Sequence, residues 1–150
     1  MSEKVESAQR SVELTRTSTA VYTVRNATGA EMQFGHGDGL FSPVELLLAA
    51  IAGCSSIDVD TVTARSAEPT SYTVTATGDK LSEDGATRVD NLNIAFNIEF
   101  PDTEGGQKAA GMVERLAKLS HDKYCTVSRT VERGTPVSHT LNVTVGDSTD

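Results

Sequence analysis

Cys54 and Cys125 are the two cysteines of this 150-residue chain. A thiol does chemistry as its thiolate, and a free cysteine, with a pKa of ~8.5, is mostly protonated at neutral pH. In a reducing compartment such a pair is rarely a standing disulfide. It is then either two packed thiols or a redox couple. Cys54 lies in an apolar run, where a thiol packs as a small hydrophobe. It is too far along that run's helix to feel the field of the helix N-terminus. A thiolate there needs a cation supplied by the fold. Cys125, in HDKYCTVS, can resolve an oxidised Cys54 only if the two Cα atoms come within ~7 Å.

Other residues offer weaker chemistry. His121 and Cys125 are four apart, a spacing that puts both on one helix face, as metal ligation requires. Two ligands do not make a zinc site, and His36 and His139 fall in unrelated elements. His121 therefore reads as a solvated helix-end residue, and no metal is expected. Glu45 is a candidate catalytic carboxylate, yet position N3 of a capping box accounts for it fully. Asp58 and Asp60 read as solvated or interface charges. Gly35, Gly37 and Gly39 precede no Lys-Ser/Thr pair and do not form a phosphate loop. Gly53-Cys54-Ser55-Ser56 lacks the second glycine of a nucleophile elbow.

The elements that must position these groups follow from periodicity. Residues 1–15 read as a flexible arm or short edge element. Thr17–Arg25 is rich in β-branched residues and reads as a strand, Asn26–Gly29 as a turn, and Ala30–Phe34 as the return strand. Ser42, Pro43 and Glu45 mark a helix start. The helix that follows, VELLLAAIAGC, is apolar almost all round, so it is expected to be buried in the core or across a subunit interface. It should end near Arg65. Thr70–Thr77 reads as a strand, Gly78–Gly85 as a polar turn, and Arg88–Phe100 as a half-buried strand. Ala109, Met112, Val113, Leu116 and Ala117 define one face of a second helix. A third short helix is expected over Ser120–Ser128 and a last strand over Thr135–Val145. Residues 147–150 read as a frayed tail. The order β-β-α-β-β-α-(α)-β defines an α+β class with a mainly antiparallel sheet, one domain over residues 16–146.

Composition narrows the function classes. The 13 Lys and Arg against 21 Asp and Glu give a net charge of −8. That field repels phosphate backbones and anionic lipid, so neither nucleic acid nor membrane is an expected partner. No strictly apolar run reaches the ~20 residues of a bilayer span. The first residues show no apolar h-region of a secretory signal, and a cytoplasmic location is expected. The over-apolar first helix points to a homodimer.

The stretches SPVELLLAAIAGCSSIDV (42–59) and DKYCTVS (122–128) together resemble the OsmC/Ohr family of osmotically induced and organic-hydroperoxide-resistance proteins. They look closest to a less characterised OsmC-like branch, and the resemblance covers about residues 17–145. It implies an intertwined α+β homodimer, with mainly antiparallel sheets wrapped around two central helices. It also implies a thiol peroxidase without cofactor. Cys54 would attack an organic hydroperoxide and become a sulfenic acid. Cys125 would condense with it to a disulfide, which an unidentified thiol reductant reopens. In the well-studied peroxidases a Glu follows the Pro directly and pairs with an Arg from the N-terminal strands. Here that position is Val44, and Glu45 lies ~100° further around the helix. Arg25 is the preferred match for the Arg, with Arg16 and Arg129 as alternatives. The other function weighed is a non-catalytic dimer that binds a small hydrophobic ligand or senses redox state.

Overall fold

A computed structural model describes residues 5–146. The first four residues of the expected arm and the expected tail, 147–150, lie outside the described residues. The chain forms two compact units. One runs from the start of the described residues to Gly53 and adds Tyr72–Asn97; the other comprises Cys54–Ser71 and everything described from Ile98 onward.

In the first unit, β1 (Val12–Ser18), β2 (Val21–Asn26) and β3 (Glu31–Gly35) form an antiparallel sheet in sequence order. β1 starts inside the segment read as an arm or short edge element, and it forms an edge of the sheet. All seven of its residues are exposed, so it lacks the burial alternation that marks a strand in sequence. The β2–β3 turn is built on Asn26, whose Oδ1 accepts from the Thr28 and Ala30 amides and the Thr28 hydroxyl. Tyr22 and Phe34 stack at 5.8 Å between ring centroids, and Phe34 is buried. Gly35 adopts φ +142°, and a Cβ there would collide with the Ala20 carbonyl oxygen.

β4 (Ser71–Glu83) and β5 (Ala86–Glu99) make a two-stranded sheet. The polar stretch read as a turn over Gly78–Gly85 is mostly strand. The reversal needs only Asp84 and Gly85, at φ +50° and +81°, the geometry of a two-residue hairpin loop. β5 changes parity between Val89 and Leu92. Asn91 sits there at φ +53° with its amide on Asp79, so the extra residue is absorbed in a local kink.

Helix α1 spans Pro43–Thr63. Its start is a reciprocal capping box: the Glu45 amide donates to Ser42 Oγ at 3.2 Å, and the Ser42 amide donates to Glu45 Oε1 at 2.9 Å. By length and composition α1 could cross a bilayer, which the short apolar run did not suggest. Its C-terminal half, however, buries Ser55, Val59 and Thr63 within the chain. In the N-terminal half Val44 and Leu47 are exposed, so of the two expected covers, core or subunit interface, the core of this chain does not supply theirs.

In the second unit α2 (Glu104–Leu119) is capped by Thr103, whose Oγ1 accepts from the Gly106 amide at 3.0 Å. All five residues of its expected apolar face are buried or half-buried. The expected third helix is broken. A π-turn over Ser120–Tyr124 runs straight on from α2, the backbone extends at Cys125, and α3 follows over Thr126–Glu132. His121 and Cys125 therefore share no helix face. Thr135–Val145, read as a strand, is irregular, with Val137, Leu141, Val143 and Val145 more than 80% exposed. A period-two pattern reports that one face wants cover; it does not supply the neighbouring strand. Within the described chain this segment has none.

Candidate functional site

The second unit brings the two cysteines together. Cys54 lies on α1, half-buried, and Cys125 is fully buried at the break before α3. The two thiols are near enough for Cys125 to act on the ionisation of Cys54. Cys125 is also the N-cap of α3: its Sγ accepts from the Ser128 amide at 3.4 Å and donates to Ser128 Oγ at 3.1 Å. The backbone turns at Cys125 because its own amide is drawn back to the Ser120 carbonyl, at 2.7 Å, closing the π-turn. Such turns inside or at the end of α-helices recur at functional sites.

Opposing influences act on the Cys54 thiol. Burial is the largest and pushes its pKa above the ordinary value, because a thiolate loses hydration there. The Val127 amide opposes this by hydrogen-bonding the sulfur, Cys125 raises the pKa further, and the Thr126 amide adds a second lowering contact. The net direction is upward. None of the groups acting on Cys54 is a cation. The two amides belong to the first turn of α3, so the helix whose N-terminus faces Cys54 is α3, not its own. Cys54 is too far along α1 to feel that helix's own N-terminus, and α3 lies about seventy positions on in the sequence.

The other expected site residues have local partners. Arg25 lies opposite Glu31 in the β2–β3 register, and the two form an exposed ion pair with Arg25 Nε 2.7 Å from Glu31 Oε1. Glu45 is exposed, and its bonds to Ser42, the backbone amide first, hold its carboxyl below the usual range. Arg16 donates to Thr19 Oγ1 at 3.0 Å, and Arg129 is exposed on α3. His121 bridges Asp122 and Glu132, at 3.1 and 2.8 Å, and both carboxylates raise its pKa. Among the described residues no three His, Cys, Asp or Glu side chains gather as metal ligands would.

Asp58, which reads in sequence as a solvated or interface charge, has a partner within the chain. Asp58 is half-buried rather than simply solvated, and its Oδ2 accepts the Ser120 hydroxyl at 2.7 Å. Ser55, buried, lies 3.3 Å from the same Ser120 oxygen.

A paired-thiol centre at the N-terminus of a short helix, on an α+β scaffold with antiparallel sheets, defines the class. The sequence model of OsmC-like proteins matches residues 35–140, and the chain belongs to that family. It is 30% identical over 112 residues to protein YhfA of Escherichia coli K12, an alignment that takes in 75% of this chain and 80% of that protein. An OsmC-like protein of unknown function from Vibrio cholerae has the same fold, with a TM-score of 0.69 at 17% identity, over 84% of this chain and 95% of the other. A hypothetical protein from Aquifex aeolicus VF5 gives a TM-score of 0.68 at 25% identity, over 86% of this chain and 91% of its own. The resemblance carried by residues 42–59 and 122–128 is thereby established as membership.

Proposed function

We propose that this protein is a thiol-dependent peroxidase that reduces organic hydroperoxides in cytoplasmic oxidative-stress defence. The observation that carries the reading is the approach of Cys125, at the head of α3, to Cys54, with the Thr126 and Val127 amides also acting on the Cys54 sulfur. The Cys54 thiolate attacks the distal oxygen of ROOH. The O–O bond breaks, ROH leaves after taking a proton, and Cys54 becomes a sulfenic acid. The Cys125 thiolate then attacks the Cys54 sulfur, water leaves, and a disulfide forms. Two electrons from an external thiol reductant restore both thiols. The Thr126 and Val127 amides stabilise negative charge on Cys54 in the first step. Arg25 and Glu45 are assigned accessory roles. A slower oxidation of Cys54 in Arg25→Gln or Glu45→Gln, at unchanged thermal stability, supports each assignment.

We assign residues 16–146 to one catalytic domain acting as a homodimer. Two observations support the dimer: exposed Val44 and Leu47 on α1, and the exposed alternating apolar residues of Thr135–Val145. Light scattering should give twice the chain mass, and a monomer at micromolar concentration would refute it.

The test of the chemistry is a thiol count on reduced protein after one equivalent of cumene hydroperoxide, with peptide mass spectrometry. Rapid loss of both thiols and a Cys54–Cys125 cross-link, absent from Cys54→Ser, support the proposal. Two intact thiols refute it. The raised Cys54 pKa favours a second reading in that event, a non-catalytic dimer that binds a small hydrophobic ligand or responds slowly to oxidants.

A further inference from the structure

Ser120 occupies a junction between the two cysteines. Asp58 lies one helical turn beyond Cys54 on the same face of α1. Its carboxylate holds the Ser120 hydroxyl at 2.7 Å, and the Ser120 carbonyl holds the Cys125 amide at 2.7 Å. Two short hydrogen bonds thus connect the turn of α1 that follows Cys54 to the backbone of Cys125. Ser120 is fully buried and Ser55, its other neighbour, nearly so. Leu119, the residue before the π-turn, makes no side-chain cap to that turn. The turn's first residue is held through its amide by the Leu116 and Ala117 carbonyls of α2, and through its hydroxyl by Asp58 and Ser55 of α1. The bond to an oxygen acceptor at 2.7 Å holds the Ser120 hydroxyl in one rotamer. The π-turn is a wide, uncommon turn, and a fixed first residue determines where its last amide, that of Cys125, can lie.

We propose that Asp58 and Ser120 are positioning residues that hold the Cys125 sulfur within reach of Cys54. They touch no substrate and set the encounter of the two thiols. This role rests on the reading of the cysteines as a redox pair, but it can be measured without any peroxide.

The measurement is a redox equilibrium of the purified full chain with glutathione. Oxidised glutathione takes two electrons from Cys54 and Cys125, the protein disulfide forms, and two molecules of reduced glutathione are released with the thiol protons. The equilibrium constant is the effective concentration of one thiol at the other. Asp58→Ala and Ser120→Ala are each expected to lower it about tenfold to a hundredfold, the effect of a misplacement of about 1 Å. Asp58→Asn, which keeps an oxygen acceptor for Ser120, is expected to stay within about threefold of the native chain. Circular dichroism identifies any variant that has lost its helices, and Ser120→Ala, lacking a single hydroxyl, decides the matter if Asp58→Ala does not fold. Native effective concentrations in both alanine variants overturn the proposal. So does an Asp58→Asn chain as impaired as Asp58→Ala, since charge rather than position would then be at work. A native chain that forms no disulfide with excess oxidised glutathione overturns it too. Failure of cumene hydroperoxide to oxidise a native chain that does equilibrate with glutathione refutes the peroxidase alone.

Discussion

The reactivity of Cys54 should be low at neutral pH and should climb steeply with alkali. A free thiol with a pKa of ~8.5 is ~3% thiolate at pH 7. Burial, reinforced by Cys125, outweighs the Val127 and Thr126 amides and places Cys54 above that value. Its thiolate fraction at pH 7 is therefore smaller than that of a free thiol, and its rate should rise about tenfold per pH unit until the inflection is reached. The assay is alkylation by iodoacetamide from pH 6 to 10, followed for the Cys54 peptide by mass spectrometry. Cys125→Ser sharpens the test. A hydroxyl does not ionise in this range and still caps α3, so the raising influence of Cys125 disappears while burial and both amides stay. The inflection should move to lower pH, and the rate at pH 7 should increase. An inflection at or below 8.5 in the native chain would mean that a cation reaches Cys54 and that burial does not dominate. An upward shift in Cys125→Ser would refute the assigned influence of Cys125.

Three further outcomes are expected. Ser42→Ala removes the hydroxyl half of the capping box and should cost about 1 kcal/mol, read as a lower denaturant midpoint, whereas Ser42→Asp should stay near native. Gly106→Ala should destabilise by about 1–3 kcal/mol in the same assay, because the new Cβ meets the Pro101 carbonyl oxygen; in an open helix interior the change would stabilise. The His121 pKa is raised, by Asp122 first and then Glu132, so its contribution to stability is complete below its unfolded pKa of about 6.5 and fades as pH rises through the folded value. Tm should therefore fall more between pH 6 and 8 in the native chain than in His121→Ala, and equal slopes would refute the bridge.

Much of the scaffold was legible because its signals are local. The capping box of Ser42 and Glu45, the apolar face of α2 and the Asn26 turn are each written within a few residues, and the structure shows each of them. What escaped depends on partners remote in sequence. The partner of Asp58 is not legible because Ser120 belongs to a different element. The amides of α3 at Cys54 were invisible for the same reason. A helix over Ser120–Ser128 was a fair inference from composition, but one recessed amide, that of Cys125 bonded to Ser120, splits it. Thr135–Val145 has the alternation of a strand, yet strand formation needs a neighbour that the chain alone does not place beside it.

The placement of Cys125 at the head of α3 also bears on how this protein drifts. Sulfur is a weak hydrogen-bond acceptor, and Ser, Thr, Asp or Asn is the preferred occupant of a helix N-cap. A single-nucleotide route leads from cysteine to serine, and that exchange would give α3 a stronger cap. Stability alone therefore pulls this position away from cysteine. A lineage that had no further use for the thiol would gain by losing it, whereas one that keeps it accepts a softer helix start in exchange for sulfur chemistry.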